Sequence, residues 1–232
     1  MEEILRRELR AEEEVLQQFL RYGRLLQEAN AVTNLTAIRD EKEAARLHFL
    51  DSVSLLPMAD FAGKAVVDVG TGAGFPGLPL KLLQPELRLT LMDSNNKKID
   101  FLKHVCAELE VQADCIWGRV EEWPEGRERF DIAVSRAVAD LSVLAELCLP
   151  LVRPGGVFLA MKGPDCEEEL VRSEFAVKAL GGRVRDVLRY TVPDTDIVHA
   201  VVRIDKVKNT PPQYPRRYAQ MKKKPLSGGK TI

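Results

Sequence analysis

The sequence predicts an α/β fold with a mostly parallel, doubly wound sheet that follows a helical segment. The first observation is that β-like apolar runs alternate with helical segments from residue 64 onward, which is the pattern of βαβ units. The second is that the first run ends in a glycine-rich turn leading into a helix. The third is that only the turn-like residues 193–196 separate the last two runs, which predicts an antiparallel hairpin.

Seven strands are predicted, at residues 65–69, 87–93, 113–117, 130–135, 156–161, 183–190 and 197–204. Between them, helices are predicted at residues 76–83, 95–109, 139–149 and 165–180. Earlier, residues 2–29 carry apolar side chains at helical spacing with a break near Gly23, and Asp40 caps a second helix that stops at Pro57. We therefore expect a helical extension (residues 1–63), an α/β domain (64–205) and a basic, loop-like tail (206–232).

Composition narrows the class of protein. The net charge of −1 shows that the 232-residue chain is not a polycation, yet nine Lys or Arg and one acid lie between Arg203 and Ile232. This excess is typical of a phosphate-binding tail and equally of a solvated terminus. The sequence has no signal-peptide pattern or membrane-length apolar run, and its four cysteines form no C-x-x-C pair. We expect a cytoplasmic protein without a metal site or a disulfide.

The turn after the first strand predicts a nucleotide-type cofactor. Its glycines are Gly70, Gly72 and Gly74, whereas a dinucleotide-binding fingerprint would place the third glycine at residue 75, which is Phe75. Asp68, two residues before the first glycine, would repel a pyrophosphate and attract a positively charged ligand. S-adenosylmethionine carries an ammonium and a sulfonium group and no phosphate, so the turn favours this methyl donor over NAD.

The ends of the later strands add candidate ligands, because ligands of open α/β sheets bind there. Asp93 lies 23 residues after Gly70 and suits both ribose hydroxyls of an adenosine cofactor, whether NAD or S-adenosylmethionine. Val120 follows the third strand, where it would border the adenine. Arg136 ends the fourth strand; it stays protonated, so it is a poor base but a good ligand for phosphate or carbonyl groups. Lys162 ends the fifth strand near the same rim.

The residues after the fourth strand also limit the methyl acceptor. They contain no Asn-Pro-Pro-Tyr or Asp-Pro-Pro-Tyr motif, which marks enzymes that methylate exocyclic amines. The sequence therefore argues against an amine or amide as the acceptor.

Seven segments together carry a family resemblance: Asn34-Leu35-Thr36, His48-Phe49-Leu50-Asp51-Ser52, residues 68–79, Gly118-Arg119-Val120-Glu121, Ser135-Arg136-Ala137-Val138-Ala139, Lys162-Gly163 and Tyr214-Pro215-Arg216-Arg217. In this order, and over nearly the whole chain, they resemble the bacterial guanine-N7 methyltransferases of small-subunit ribosomal RNA, the glucose-inhibited division protein B family. Val53 stands where that family commonly has leucine.

The resemblance implies a Rossmann-like methyltransferase sheet with S-adenosylmethionine as the methyl donor. It also implies that the acceptor is N7 of a guanine in the 530 loop of 16S ribosomal RNA, within the 30S subunit or its precursor. The resemblance implies that Gly70, Phe75, Val120, Glu121 and Arg136 contact the methyl donor. Asp93 is a sixth candidate, because of its position at the end of the second strand. Arg136 would anchor either the carboxylate of the methyl donor or the target nucleotide.

This reaction needs no general base, because guanine N7 already carries a lone pair; we expect catalysis by alignment and exclusion of water. The residues predicted to bind RNA phosphates are Arg216, Arg217, Lys222, Lys223 and Lys224. Phe75, Tyr214 and Tyr218 are candidates for base stacking or simply for packing. His48 and Asp51, three residues apart on a helix, form either a helix-surface or core pair or part of an RNA-side rim.

Three other functions stay open from the sequence. A small-molecule methyltransferase would leave the basic tail without a role. An NAD-dependent oxidoreductase would need a glycine at residue 75 and a proton-relay residue at the rim. A non-catalytic RNA-binding module would have no need of an intact cofactor turn.

Overall fold

The computed structural model describes residues 1–136 and 139–227, in which seven strands form one sheet. The strands are β1 (Ala65–Val69), β2 (Arg88–Asp93), β3 (Ala113–Trp117), β4 (Phe130–Arg136), β5 (Val152–Lys162), β6 (Gly182–Thr191) and β7 (Val198–Lys206). The helices are α1 (Glu2–Leu9), α2 (Glu13–Thr33), α3 (Glu41–Ala44 continuing through Ala45–Leu50 and Asp51–Val53), α4 (Gly77–Leu83), α5 (Asn96–Glu108), α6 (Leu141–Cys148), α7 (Glu167–Ala179) and α8 (Tyr218–Lys223).

The strand order is β3-β2-β1-β4-β5-β7-β6, and the first five strands are parallel. The order reverses between β1 and β4, so the ends of these two strands define the crevice where ligands of such sheets bind. β7 pairs antiparallel with both β5 and β6, which confirms the predicted hairpin. β5 is longer than predicted, since it begins at Val152 rather than at residue 156.

Two apolar clusters cover the two faces of the sheet. On one face, Leu5, Phe19 and Phe49 from the N-terminal helices pack in the same cluster as Val66 and Ile132 of the sheet. The cluster on the other face is built around helices α6 and α7 and is formed largely by aliphatic side chains. The helical extension therefore shares a hydrophobic core with the sheet, and this packing holds α2 and α3 beside the crevice.

The break in the N-terminal helix is not near Gly23, as predicted, but at Arg10, whose φ of 48° ends α1. Gly23 lies inside α2, at a position where a side chain would collide with Met1. The cap of the next helix is confirmed, since the Asp40 carboxylate accepts hydrogen bonds from the backbone N–H groups of Lys42 and Glu43 at 2.9 Å.

The tail contains the short helix α8, whereas the sequence predicted only loop. Met221 of this helix is fully buried, and the Arg127 side chain donates hydrogen bonds to the carbonyl oxygens of Thr210 and Tyr214. Ala137 and Val138 of the family-resemblance segment and residues 228–232 of the predicted tail lie outside the described residues. Of the helices in residues 1–136 and 139–227, none combines the length and apolarity needed to cross a membrane.

Candidate active site

A cleft of about 750 Å³ lies at the ends of β1, β2 and β4, where the strand order reverses. One wall belongs to the glycine turn after β1, and another to the segments that follow β2 and β3. Thr36, His48 and their neighbours in the helical extension close the cleft on the side of Arg136. Of the residues predicted at the methyl donor, all six line this cleft: Gly70, Phe75, Asp93, Val120, Glu121 and Arg136.

The glycine turn is held by backbone contacts that require its glycines. The N–H groups of Gly70 and Thr71 both donate to the carbonyl oxygen of Met92, which ties the turn to the adjacent strand. Gly70, Gly72 and Gly74 have φ values of 70°, 62° and 103°, a region that side chains disfavour. Backbone rather than side chains therefore faces the cleft at Gly70 and Gly72, and a ligand can approach it closely.

Asp68, whose charge was expected to favour a positively charged ligand, does not line the cleft. The side chain is fully buried beneath the turn, where Oδ2 accepts hydrogen bonds from the Thr71 hydroxyl at 2.7 Å and the Gly77 N–H at 2.8 Å. Burial raises the pKa of this carboxyl to about 6, although both hydrogen bonds oppose the shift. Asp68 therefore shapes the turn rather than the ligand's environment.

Asp93 lies at the edge of the cleft with both carboxylate oxygens oriented by backbone. Oδ2 accepts from the Gly72 N–H at 3.0 Å and Oδ1 from the Asn95 N–H at 2.8 Å. The Lys98 ammonium is 3.8 Å from Oδ2. Because each carboxylate oxygen can accept two hydrogen bonds, a second acceptor position on each oxygen is available to paired hydroxyl groups.

Val120 and Glu121 form a short turn after β3 that connects the cleft to the tail. Val120 is buried, and the Glu121 carboxylate accepts from the Tyr218 N–H at 3.1 Å. Tyr218 lines the cleft, and the guanidinium of Arg119 lies 5.9 Å from the centre of its ring. The first turn of α8 therefore lies beside the cleft.

Arg136 is fixed by three groups from helix α3. Its Nη1 donates to the Leu47 carbonyl at 2.8 Å and to the Asp51 carboxylate at 3.1 Å, and its Nη2 lies 3.1 Å from Nδ1 of His48. The guanidinium lies 5.2 Å from the ring centre of Phe75, which is itself stacked on His48 at 4.5 Å. Phe75 thus packs against both His48 and Arg136 at the cleft wall.

Asp51 is the centre of a buried network that the sequence interpretation missed. Its Oδ1 accepts from the Tyr190 hydroxyl and contacts His199 Nδ1, both at 2.7 Å, in addition to the contact of Oδ2 with Arg136. Burial raises the pKa of Asp51, but the hydrogen bond with His199 and the charge of Arg136 outweigh it, so the pKa is below its ordinary value. The same hydrogen bond raises the pKa of His199.

Of the two structural interpretations of His48 and Asp51, the helix-surface pair is wrong and the core position is confirmed, since their exposed fractions are only 8% and 0%. Burial and the nearby Arg136 charge lower the pKa of His48 to about 3, so its imidazole is neutral. Lys162 does not line the cleft either. Its ammonium donates to the Ala139 carbonyl and the Glu169 carboxylate, both at 2.7 Å.

The basic residues of the tail differ in environment. Arg216 donates to the buried carboxylate of Glu146 through its side chain, at 2.7 and 2.6 Å, and through its backbone N–H at 2.9 Å. Arg217 and the lysines Lys222, Lys223 and Lys224 are exposed on and beside α8. The structure thus separates one paired arginine from four exposed cations.

Comparison with known proteins identifies the relatives of this chain. A family model named GidB, described as rRNA small subunit methyltransferase G, matches residues 15–198. A protein named ribosomal RNA small subunit methyltransferase G from Alkaliphilus metalliredigens is 46% identical over 216 residues, which is 91% of this chain and 90% of that protein. One of the same name from Clostridium botulinum is 43% identical over 214 residues, 90% of each chain.

Several solved structures share the fold at low sequence identity. A predicted O-methyltransferase from Agrobacterium tumefaciens aligns with a TM-score of 0.55 and 17% identity, over 70% of this chain and 82% of that one. A putative RNA methyltransferase from Pyrococcus horikoshii aligns with a TM-score of 0.54 and 18% identity, over 68% and 84% of the chains. M. jannaschii TYW2, solved in complex with AdoMet, aligns with a TM-score of 0.53 and 13% identity, over 68% and 75%. These similarities confirm the predicted fold.

Proposed function

Because the chain belongs to the GidB family of rRNA small subunit methyltransferases G, we propose that it transfers a methyl group from S-adenosylmethionine to N7 of a guanine in the 530 loop of 16S ribosomal RNA. The observation that carries the choice of N7 is the state of the cleft's ionisable groups. Each acid and the histidine among the described lining residues is already held by another protein group.

The cleft fits S-adenosylmethionine in size and in the position of its polar groups. Its volume of about 750 Å³ is within the range of small-molecule sites. The acceptor positions on Asp93 suit the two ribose hydroxyls, and the glycine backbone at Gly70 and Gly72 leaves room for close approach. Val120 and Glu121 lie on the far side of Asp93, where the adenine would be held. In this arrangement, which the strand order β3-β2-β1-β4 supports, the methyl group would lie toward Arg136.

When bound, S-adenosylmethionine supplies an electrophilic methyl group on a sulfonium. The protein then has to align the acceptor and exclude water, because a guanine N7 lone pair needs no deprotonation. His48 cannot serve as a base, since its Nδ1 faces the Arg136 guanidinium and its pKa is about 3. Arg136 stays protonated and acts as a positioning group for the methyl donor's carboxylate or for the target nucleotide.

The exposed part of the tail provides the proposed RNA contacts. Arg217 and the lysines 222–224 extend from the side of the cleft at which Tyr218 lies, so they can hold phosphates while the target base enters. Arg216 contributes to the fold through Glu146 and only indirectly to RNA binding. We propose that the substrate is 16S ribosomal RNA within the 30S subunit or its precursor.

The test is to incubate the protein and labelled S-adenosylmethionine with 30S subunits and with naked 16S RNA from a strain that lacks this methylation. Mapping of the labelled nucleotide is expected to give one guanine in the 530 loop, methylated at N7. An Asp93→Ala variant should lose labelling together with binding of the methyl donor. Label at another base or atom, or on a small molecule in place of RNA, would refute the proposal.

A further inference from the structure

Thr36 lies on the cleft wall beside His48 and Arg136, in the segment after helix α2. Its hydroxyl oxygen is 2.8 Å from Nε2 of His48 and accepts a hydrogen bond from the Ile38 N–H at 3.2 Å. The direction of the contact with His48 depends on which ring nitrogen carries the proton. The neighbours of His48 decide this.

The guanidinium of Arg136 has only donors, so the nitrogen of His48 that it faces, Nδ1, must accept. The imidazole is neutral because burial and the Arg136 charge lower its pKa to about 3. A neutral imidazole that accepts at Nδ1 carries its hydrogen at Nε2. His48 therefore donates to Thr36, and the arginine sets the tautomer.

The hydroxyl oxygen of Thr36 then accepts two hydrogen bonds, one from His48 and one from Ile38, which uses both of its lone pairs. Its own hydrogen has to be donated elsewhere. Within the described part of the chain, no protein acceptor receives it, and Thr36 lines the cleft. The network that begins at Asp51 thus presents one neutral, oriented O–H donor to the cleft, opposite the end marked by Asp93.

Guanine and adenine differ next to N7. Guanine has the O6 carbonyl there, which accepts hydrogen bonds, whereas adenine has the N6 amine, which donates. A group that can only donate a hydrogen bond pairs with O6 of guanine and not with the N6 amine of adenine. Such matches between buried polar groups discriminate strongly between the two bases. The hydroxyl of Thr36 is held as a donor by His48, so it has the required property.

We propose that Thr36 is a specificity-determining residue, whose hydroxyl donates to O6 of the target guanine and orients the adjacent N7 toward the methyl group. This inference rests on the proposed function and adds the recognition of the base to it. Arg136 and His48 are then positioning residues, because they act on the base through Thr36.

The test compares Thr36→Val, which removes the hydroxyl at nearly constant shape, with Thr36→Ser, which restores it. Thr33→Val is the matched control, since Thr33 is exposed at the end of α2 and its hydroxyl donates to the Ala29 carbonyl. The substrates are 30S subunits reconstituted with 16S RNA that carries either guanine or 2-aminopurine at the methylated position. 2-Aminopurine keeps N7 but lacks O6.

We expect Thr36→Val to lower kcat/KM on guanine by about 5- to 100-fold, as for one lost hydrogen bond in a shielded site. On 2-aminopurine, the wild-type protein and Thr36→Val should differ little, because the bond is absent in both. Thr36→Ser should recover most of the guanine rate. The Kd of S-adenosylmethionine, measured by calorimetry, should stay close to that of Thr33→Val. The melting temperature of Thr36→Val should fall below that of Thr33→Val, because the His48 and Ile38 donors lose their acceptor, and the 2-aminopurine substrate corrects the rates for this loss.

The inference would be refuted by equal losses on guanine and 2-aminopurine, by unchanged kcat/KM, or by weaker binding of S-adenosylmethionine to Thr36→Val. The last result would place the hydroxyl at the methyl donor instead. If the wild-type protein does not methylate guanine N7, the proposed function fails, whatever the variants do. The two failures are therefore distinguishable.

Discussion

Replacement of Arg216 by methionine should destabilise the protein, because this arginine, unlike the four exposed cations of the tail, is paired with a buried acid. The Arg216 side chain makes a two-pronged contact with Glu146, whose carboxylate is 1% exposed. Glu146 belongs to α6, in which all eight residues are buried. Arg216→Met would leave this carboxylate without its counter-charge in an apolar environment.

Removal of one partner from a buried ion pair typically costs 3–5 kcal/mol. The Arg216 side chain is 22% exposed, so water reduces the effect and the lower end applies. We expect the free energy of unfolding to fall by about 3 kcal/mol. For a chain of this length, that corresponds to a decrease of about 6–12 °C in melting temperature.

Urea denaturation and thermal melting measure this effect, with two further variants as references. Arg172→Met is the matched control, because the 61% exposed Arg172 contacts Glu168 and Asp140 only at 3.6 Å and should matter little. The double variant Arg216→Met/Glu146→Met replaces the pair by apolar side chains and should recover most of the loss. Equal stability of Arg216→Met and Arg172→Met would refute the reasoning.

The same variants separate the structural cation from those proposed to bind RNA. Because Glu146 already neutralises Arg216, the double variant should keep the wild-type salt dependence of binding to 30S subunits. Arg217→Met should reduce the slope of log K against log salt by about 1, as for one lost phosphate contact. A reduced slope in the double variant instead would show that Arg216 contacts phosphate.

Three other predictions follow from the cleft and its turn. Asp93→Asn should weaken S-adenosylmethionine binding about tenfold or more in calorimetry, since hydrogen bonds to the charged carboxylate are lost; unchanged affinity would contradict the assignment. Gly74→Ala should lower the melting temperature far more than Gly63→Ala: both glycines have positive φ, but only at Gly74 would a Cβ collide with Tyr22 and Leu102. Folding raises the pKa of Asp68 from 3.8 to about 6, so the folded protein binds the proton more tightly, and stability should rise as pH falls from 6 towards 4. The Asp68→Asn variant should lack this increment, so subtraction of its pH profile from that of the wild-type protein isolates the contribution of Asp68. An identical pH profile for the variant and the wild-type protein would contradict the prediction.

The sheet could be predicted from the sequence because its signals are local. Each strand is a short apolar run, and the six-residue connection between β6 and β7 (residues 192–197) leaves room only for a hairpin. Asp93 could be placed at the cleft for a related reason: parallel strands end at the same edge of a sheet, so a residue's position in its strand predicts its neighbours. Gly70, Val120 and Arg136 were placed by the family resemblance or by the same argument, and all line the cleft.

The contacts that decide the chemistry of the cleft wall are not local. Asp51 lies 85 residues from Arg136, 139 from Tyr190 and 148 from His199, and no spacing rule connects them. The only sequence signal was the presence of two ionisable residues, His48 and Asp51, on the buried face of one helix. Similarly, Glu146 is the one charged residue of helix α6. A buried acid predicts that a cationic side chain pairs with it, but the sequence does not indicate which one.

The network around Asp51 also suits the charge movement in the proposed reaction. Methyl transfer to N7 moves a positive charge from the sulfonium to the guanine ring, so an uncompensated cation at the wall would oppose the product. Asp51 compensates Arg136 at 3.1 Å, and His48 is kept neutral beside it. Tyr190 and His199 hold Asp51 from the terminal hairpin, which thereby supports the cleft from the far edge of the sheet. The wall can then offer directed hydrogen bonds with little net charge, as a reaction catalysed by positioning requires.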